Sequence, residues 1–397
     1  MLCSVIRTFV PPNGHPMNPP LSRSGSLVLL AVASLTIMVG CVIVPGLPTI
    51  AHKLGFGSAA SWLVTVPSLG VIVFGPMAGK LIDRIGLYNS LCFGLFAYGL
   101  LGMVGFIFHG PAIFVDRLLL GGSTAMIMAA GTGLISEFYE GNARLNMIAM
   151  QGMSIELGGV LFLSAAGLLA NVGWQWPFAL YLCAWGLLVL VLVCVPQPSV
   201  TRHSTEAGEI TRTPSVALRL VYALATLSMI VFFSAIIMLP LRLHGIGLNE
   251  AQVGYFLSGV SLVAVGAAAV MPIAARKAGE HGTLIFGLAF YALAHLAFVT
   301  AEDLTLMIEG GLCLGLGFGL TVPLLNHMTI ELSHAAQRGR NLAWLSVAIF
   351  GGQFLSSFIE FVPGGRSDGF LCAAGMALIA CAIVAGSATR RRFRPTP

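Results

Sequence analysis

Twelve stretches of roughly 20 apolar residues run along this chain of 397 residues, and that length is what a helix needs to cross the hydrocarbon of a bilayer. They fall at about 27–46, 60–79, 89–108, 112–136, 145–170, 177–196, 217–240, 252–273, 282–300, 305–331, 341–361 and 369–388. A lipid solvent offers no partner to a free N–H or C=O, so each stretch must satisfy its own backbone as a helix. Composition agrees: 57% of residues are hydrophobic and 9% charged, against about 25% charged in soluble domains. The expected fold is all-α integral membrane, with 12 transmembrane helices in two six-helix pseudo-symmetric halves.

The polar run "PQPSVTRHSTEAGEITRTPS" divides the spans six and six. The expected organisation is a flexible cytoplasmic tail at 1–25 with Met17 an alternative start, a bundle at 26–196, a cytoplasmic linker at 197–216, a bundle at 217–388 and a basic cytoplasmic tail at 389–397. Sixteen of the 20 Lys and Arg fall on the side of the termini and the linker. Lys53, Arg242 and Arg366 fall on the other, and Arg117 lies inside a span. Basic loops stay in the cytoplasm, so both termini are expected there, in the inner (plasma) membrane. The eight cysteines form no CxxC pair, so neither a disulfide framework nor a metal site is expected. No cofactor is expected, and the net charge of +5 reflects basic loops rather than nucleic-acid binding.

The halves carry traces of a repeat. A shift of 194 residues sets Gly121 on Gly315, Glu137 on Glu331, Arg144 on Arg338 and Gly158 on Gly352. A shift of 193 lays "GKLIDRIG" (79–86) over "PIAARKAG" (272–279). Parallel six-helix repeats with a substrate site between them at the midplane are a transporter layout.

"GKLIDRIG" resembles the signature loop of the major facilitator superfamily, with Gly79, Leu81, Asp83, Arg84 and Gly86 matching and Leu87 and Tyr88 standing where a basic pair is usual. "RLLLGGSTA" (117–125) resembles the family's span-four motif through Arg117, with Leu120 at a common Gln position. "GWQWPF" (173–178) resembles the usual start of span six. The resemblance implies that Asp83 faces the start of span eleven, near Gly339, Arg340 and Asn341, where free N–H groups carry partial positive charge. Gly79, Asp83, Arg84, Gly86, Arg144 and Arg340 are the expected conformational switch. A solvated turn obeying the basic-side rule is the plainer alternative.

Ionisable residues in the membrane are functional candidates by default. Glu156 lies about 11 residues into span five, roughly 16 Å deep in a core of about 30 Å. It is the one carboxylate near the midplane and the first proton-coupling candidate. Structural hydrogen bonding is its alternative role. Arg117 lies about 8 Å deep from the outer face and Glu156 about 14 Å from it, an axial gap of about 6 Å that two long side chains can span. Arg117 is thus expected near Glu156 or on an anionic cargo. Asp116 points about 100° away, which suggests the outer interface, but it remains a proton-coupling candidate. In span ten Pro323 frees a carbonyl near Gly319, followed by Asn326 and His327. His327 lies near the cytoplasmic face, where a gate role stands beside a proton role. Gln151, Asn326 and Gln353, with Arg117, are the expected substrate contacts. Gly121, Ala125, Ala129 and Gly133 in span four and Gly311, Gly315 and Gly319 in span ten read as close helix packing.

In the resembling family, proton-driven drug exporters carry a Gly-Pro pair in span five. Phe162 and Leu163 stand there, although Gly158 and Gly167 fit. The expected function is export of a small organic molecule, drug-like or a carboxylate-bearing metabolite such as a siderophore, by proton antiport. An importer of a small metabolite, proton-coupled or facilitative, uses the same fold. A polytopic membrane enzyme is remote, because no nucleophile–base set or metal cluster stands in a loop. No filter-like sequence suggests a channel. Expected partners are the substrate, protons and the bilayer, with the chain a monomer.

Overall fold

The computed structural model describes residues 21–55, 60–108, 110–198, 215–334 and 337–392. Most of the expected N-terminal tail, linker positions 199–214 and the tail beyond 392 lie outside the described residues. The first half comprises α1 (Arg23–Cys41), a short α2 (Leu47–Leu54), α3 (Ala60–Ile85), α4 (Leu87–Val104), α5 (Ala112–Phe138), α6 (Gly141–Val172) and α7 (Cys183–Cys194). A 3-10 segment, Trp176–Leu182, leads into α7. The second half comprises α8 (Val216–Gly245), α9 (Glu250–Thr300), α10 (Leu304–Glu331), α11 (Arg338–Leu355) and α12 (Arg366–Arg392). Another 3-10 segment, Ser356–Phe361, continues α11.

Eleven of these helical segments are long and apolar enough to cross a membrane. The 51-residue α9 supplies two crossings, since its length is roughly 75 Å against a core of about 30 Å. Gly279, at φ 74 and ψ 165, interrupts it. Gly86 breaks α3 from α4 at φ 82 and ψ 163. A left-handed φ is open to glycine and strained for other residues. Gly86 and Gly279 are the two ends of the repeat-related octapeptides, so the same glycine turn joins the second and third spans of each half.

Caps fix several helix starts. Ser22, Ser215 and Asp303 each accept from a backbone N–H three residues on. Asn249 and Gln252 form a reciprocal capping box at the start of α9, satisfying donors that a helix leaves free. The glycines of span four and span ten do pack helices. Gly121 presses against the Pro67 carbonyl on α3, and a Cβ on Gly315 would stand 2.5 Å from the Val260 carbonyl on α9.

The halves meet along two seams, α3 with α11 and α6 with α9. Among the described residues, the hydrogen bonds linking the halves gather toward the end opposite the termini. Ser61 donates to Glu360 at 2.6 Å and Thr49 to Glu250 at 2.9 Å. Thr65 meets Ser357, and Ser164 donates to Ser258 at 2.7 Å. Trp62 packs edge-on to Phe354 and Phe358, each 5.9 Å away. A Cβ on Gly167 would stand 2.8 Å from the Gly254 Cα. The molecule is therefore latched at that end.

Candidate functional site

Glu156 is placed by its neighbours on α6. Two residues before it, Ser154 donates to the Leu30 carbonyl on α1 at 2.7 Å. Two residues after it, Gly158 sits so near α1 that an added Cβ would stand 2.7 Å from the Ser34 Cβ. Gly159 faces Ser261 across the seam, at 3.5 Å from its own Cβ position. The α6 segment around Glu156 thus packs on α1 with one face and on the second half with another. Cys41 on α1 and Tyr291 on α9 both lie within electrostatic reach of its carboxylate. Glu156 itself is half-buried, and it takes part in no ion pair or hydrogen bond among the described residues. A carboxylate that leaves water without a partner is costly.

Further along α1, the second half presents rings and one amide to Gly40. Gln353 brings its Nε2 to 3.0 Å, and Phe233 its Cε1 to 3.9 Å, from where a Cβ on Gly40 would stand. Behind Phe233 lies Phe232, with centroids 5.5 Å apart, and Phe232 lies tilted against Phe318 at 4.3 Å. Phe232 also neighbours Tyr291 at 6.4 Å. Thr321 donates to the Tyr291 hydroxyl at 3.3 Å. Cys41, Phe233 and Tyr291 escaped sequence reasoning. An apolar or aromatic residue in a greasy span carries no signal of which face it turns to.

Arg117 lies elsewhere. It is 1% exposed and Asp116 4%, with Nε 3.5 Å from Oδ2. Its Nη1 donates to the Tyr181 hydroxyl at 3.3 Å. Its guanidinium sits 5.2 Å from the Phe178 centroid and 5.7 Å from that of Tyr181. Gly105 leaves room for its far end. All of these partners belong to the first half. The expected interfacial placement of Asp116 is corrected: α4 and the 3-10 segment wrap this part of α5, so adjacent residues both face protein. Among the described residues no ion pair joins Arg117 to Glu156. The expected reach considered depth alone, and the two side chains point in different directions around the bundle.

The remaining candidates are dispersed. Gln151, buried, donates to Thr132 on α5 at 2.9 Å. Asn326 donates to the Val322 carbonyl of its own helix at 3.2 Å. His327 faces Glu280 at 3.8 Å with both side chains well exposed, at the end where the termini lie. Of the expected substrate contacts, Gln353 is the one that the structure brings across to α1, at Gly40. His295, absent from the sequence reading, is fully buried with Nε2 3.0 Å from the Val231 carbonyl.

In the signature loop, Asp83, Arg84 and Gly86 are exposed and Gly79 half-buried. Asp83 makes no ion pair or hydrogen bond among the described residues. The start of α11 is tied within its own half instead. Tyr222 donates to the Asn341 carbonyl at 3.1 Å and Asn341 to Ser333 at 2.8 Å, and the Arg340 charge acts on Tyr222. Arg144 is exposed at the start of α6.

A family model described as Major Facilitator Superfamily matches residues 28–357. The Quinolone resistance protein NorA of Staphylococcus aureus is 26% identical over 166 residues, 40% of this chain and 42% of that protein. Multidrug resistance protein 2 of Bacillus subtilis is 26% identical over 139 residues, 34% and 35% of the two chains. The chain thus matches about two-fifths of the length of these curated relatives. Among solved structures, a point mutant of the nucleoside transporter NupG superposes with a TM-score of 0.76 at 12% identity, over 91% of this chain and 99% of its own. A D-xylose-proton symporter does so with 0.75 at 16%, over 91% and 96%. These structural likenesses show the fold.

Proposed function

The chain belongs to the Major Facilitator Superfamily, and from that premise we propose that this multi-pass membrane transporter exports a small organic molecule in exchange for protons. The single observation behind the coupling is Glu156, a carboxylate within the membrane-spanning part of α6 that has no fixed partner among the described residues. A proton arriving from outside neutralises it, and its departure inward leaves the charge to be met again. Export over import is supported by partial likeness to proteins named for quinolone and multidrug resistance. The fold alone serves import equally, as the likeness to a D-xylose-proton symporter illustrates.

The two bundles, 26–196 and 217–388, rock about the site. The outer latch of Ser61–Glu360, Thr49–Glu250 and Gly167–Gly254 is closed while Asp83 stands free of α11, a pairing of features that suits an inward-open state. In the opposite state Asp83 meets the start of α11, with Arg84, Arg144 and Arg340 in the surrounding charge set. The sixteen-to-three basic asymmetry supports cytoplasmic termini in a bacterial plasma membrane. The protein works as a monomer and binds no nucleic acid. With Arg117 engaged by Asp116 and Tyr181, a carboxylate-bearing cargo loses the contact that motivated it, and a drug-like cargo is favoured.

Direction is tested in vesicles of known orientation with a radiolabelled panel of organic cations, anions and neutral aromatics. Inside-out vesicles with an acidified lumen are expected to concentrate at least one panel member, and right-side-out vesicles in an acidic bath to concentrate none. Accumulation by right-side-out vesicles under an inward proton gradient would establish import.

A further inference from the structure

We infer that the turn between α1 and α2 is a proton-sensitive clasp, gripped by His244 and Glu250 of the second half, and that protonation of His244 tightens closure of the latched end. The inference rests on the rocking of the halves and the topology proposed above. It adds a control that stands apart from Glu156.

The grip has two points. Between α1 and α2 the chain leaves the helix from Val42 to Gly46, and all five residues are buried. The carbonyls of Val44 and Gly46 take the N–H groups of Leu47 and Ile50. Among the described residues no backbone N–H takes the Pro45 carbonyl between them. His244, near the end of α8, brings its Nε2 to 3.4 Å from that carbonyl. Six residues on, Glu250 opens α9 and accepts from Thr49, in the first turn of α2, at 2.9 Å. One turn of the second half thus holds one turn of the first at two places.

The gripped turn is stiff. Pro45 and Pro48 each fix φ. Gly46 is backed by α6 of its own half, where an added Cβ would stand 2.9 Å from the Ala170 Cβ. Opening the latched end must therefore break both contacts, because the turn stays with the first half.

The chemistry of the two contacts makes closure sensitive to protons. A carbonyl can only accept, so the His244 nitrogen that faces Pro45 carries hydrogen. A charged ring donates more strongly than a neutral one. Histidine is the side chain that gains and loses its charge across the physiological range. The closed clasp favours the charged ring, so by linkage acid favours the closed clasp. Thr49 donates best to an ionised Glu250, and the grip is firmest in mild acid. In an exporter driven by protons from outside, that condition arises where the proton is loaded and the outer side must then shut.

Other titratable groups at this end are placed differently. His52 and Lys53 are exposed on the last turn of α2. On α8, Arg242 donates to the Ala301 carbonyl at 2.7 Å. Glu360 of the 3-10 segment accepts from Ser61, and Asp368 of α12 stands beside Gly364. Glu302, Asp303 and Glu309 are exposed around the start of α10. The outer ends of α3 and α6 carry no titratable residue.

The test reads the latched end away from the clasp. Spin labels are placed on Val172→Cys and Thr305→Cys, both exposed, in the otherwise Cys-free full-length chain in lipid nanodiscs. Every sample carries Glu156→Gln, so that titration of that carboxylate contributes nothing. Label distances are measured by pulsed electron paramagnetic resonance at about pH 5.5 and about pH 8.5, on either side of histidine titration. The ratio of closed to open populations is expected to be at least about threefold higher at the lower pH. His244→Gln keeps a donor but cannot titrate, and it should abolish the difference. His52→Gln should leave the difference intact. Thr49→Val should lower the closed population at both pH values.

Matching size-exclusion profiles establish that the variants are folded, and His244→Asn replaces a His244→Gln that is not. A label distance that does not respond to pH overturns the inference. So does a full response in folded His244→Gln, loss of the response in His52→Gln, or an unchanged closed population in Thr49→Val. Because the distances are read without cargo or gradient, import in vesicles would overturn export and leave the clasp standing. Export by a chain whose label distance ignores pH would do the reverse.

Discussion

At the level of single residues, two acidic side chains of one chain meet opposite fates. Asp116 is enclosed with an intimate cation, while Glu156 is half-buried and has none among the described residues. The first arrangement is architectural. Arg117 ties α5 to the 3-10 segment through Tyr181 and Phe178, and removing it leaves the Asp116 carboxylate buried alone. Breaking such a pair costs about 3–5 kcal/mol. Arg117→Met is therefore expected to lower the melting temperature sharply in detergent. Asp116→Asn added to it should restore part of the loss, since the orphaned charge is gone. A double variant no more stable than Arg117→Met would remove the ion pair from this role. The presence of both charges inside one span was legible in the sequence. Their orientation was not: position along a span follows from counting residues at a fixed rise, whereas the direction of a side chain depends on which helices enclose it. The same limit hid the approach of Phe233 to α1 at Gly40.

At the level of helices, the apolar spans were legible because length and hydropathy are properties of contiguous sequence. The junctions were less so. The expected first span, 27–46, is a helix only to Cys41, and α2 begins at Leu47. The expected eleventh, 341–361, leaves the α-helix at Leu355 and ends in 3-10 turns. That tighter segment carries Ser357, Phe358 and Glu360 onto α3 at the latched end.

The two seams close by different physics. On the α3 side hydroxyl and carboxylate groups and a Trp–Phe cluster meet. On the α6 side the backbones approach at Gly167 and Gly254, as small residues permit in membranes. A side chain at Gly254 is expected to wedge the latch open. A Ser61→Cys/Glu360→Cys pair in a Cys-free background should crosslink readily with a short reagent, and adding Gly254→Leu should reduce the crosslinked fraction at least about tenfold, a shift of about 1.4 kcal/mol or more. Undiminished crosslinking would show that this glycine contact does not govern closure. The repeat-related turn at Gly279 has its own expectation. Gly279→Val should destabilise the protein by about 1–2 kcal/mol, because a β-branched residue is strained at its φ of 74. Thermal unfolding of the variant checks this.

For the whole molecule, the pseudo-symmetry hinted by scattered matches is visible in the backbone, in the paired turns at Gly86 and Gly279 and the paired glycine contacts at Gly121 and Gly315. Topology follows from charge and is directly testable. In a Cys-free background, a cysteine at exposed Glu302 should react with a membrane-impermeant maleimide added outside, and one at exposed Glu140 should not. Reaction at 140 from outside would invert the molecule.

The central claim is that Glu156 couples the proton to the cargo. Its most direct test is gradient-driven accumulation, in inside-out vesicles with an acidified lumen, of a radiolabelled panel member that wild type concentrates. Glu156→Gln mimics the permanently protonated carboxylate. It should insert normally and abolish concentration against the gradient, while still allowing labelled cargo to equilibrate downhill. Concentration by Glu156→Gln with the proton dependence of wild type would contradict the account and make Glu156 a structural residue.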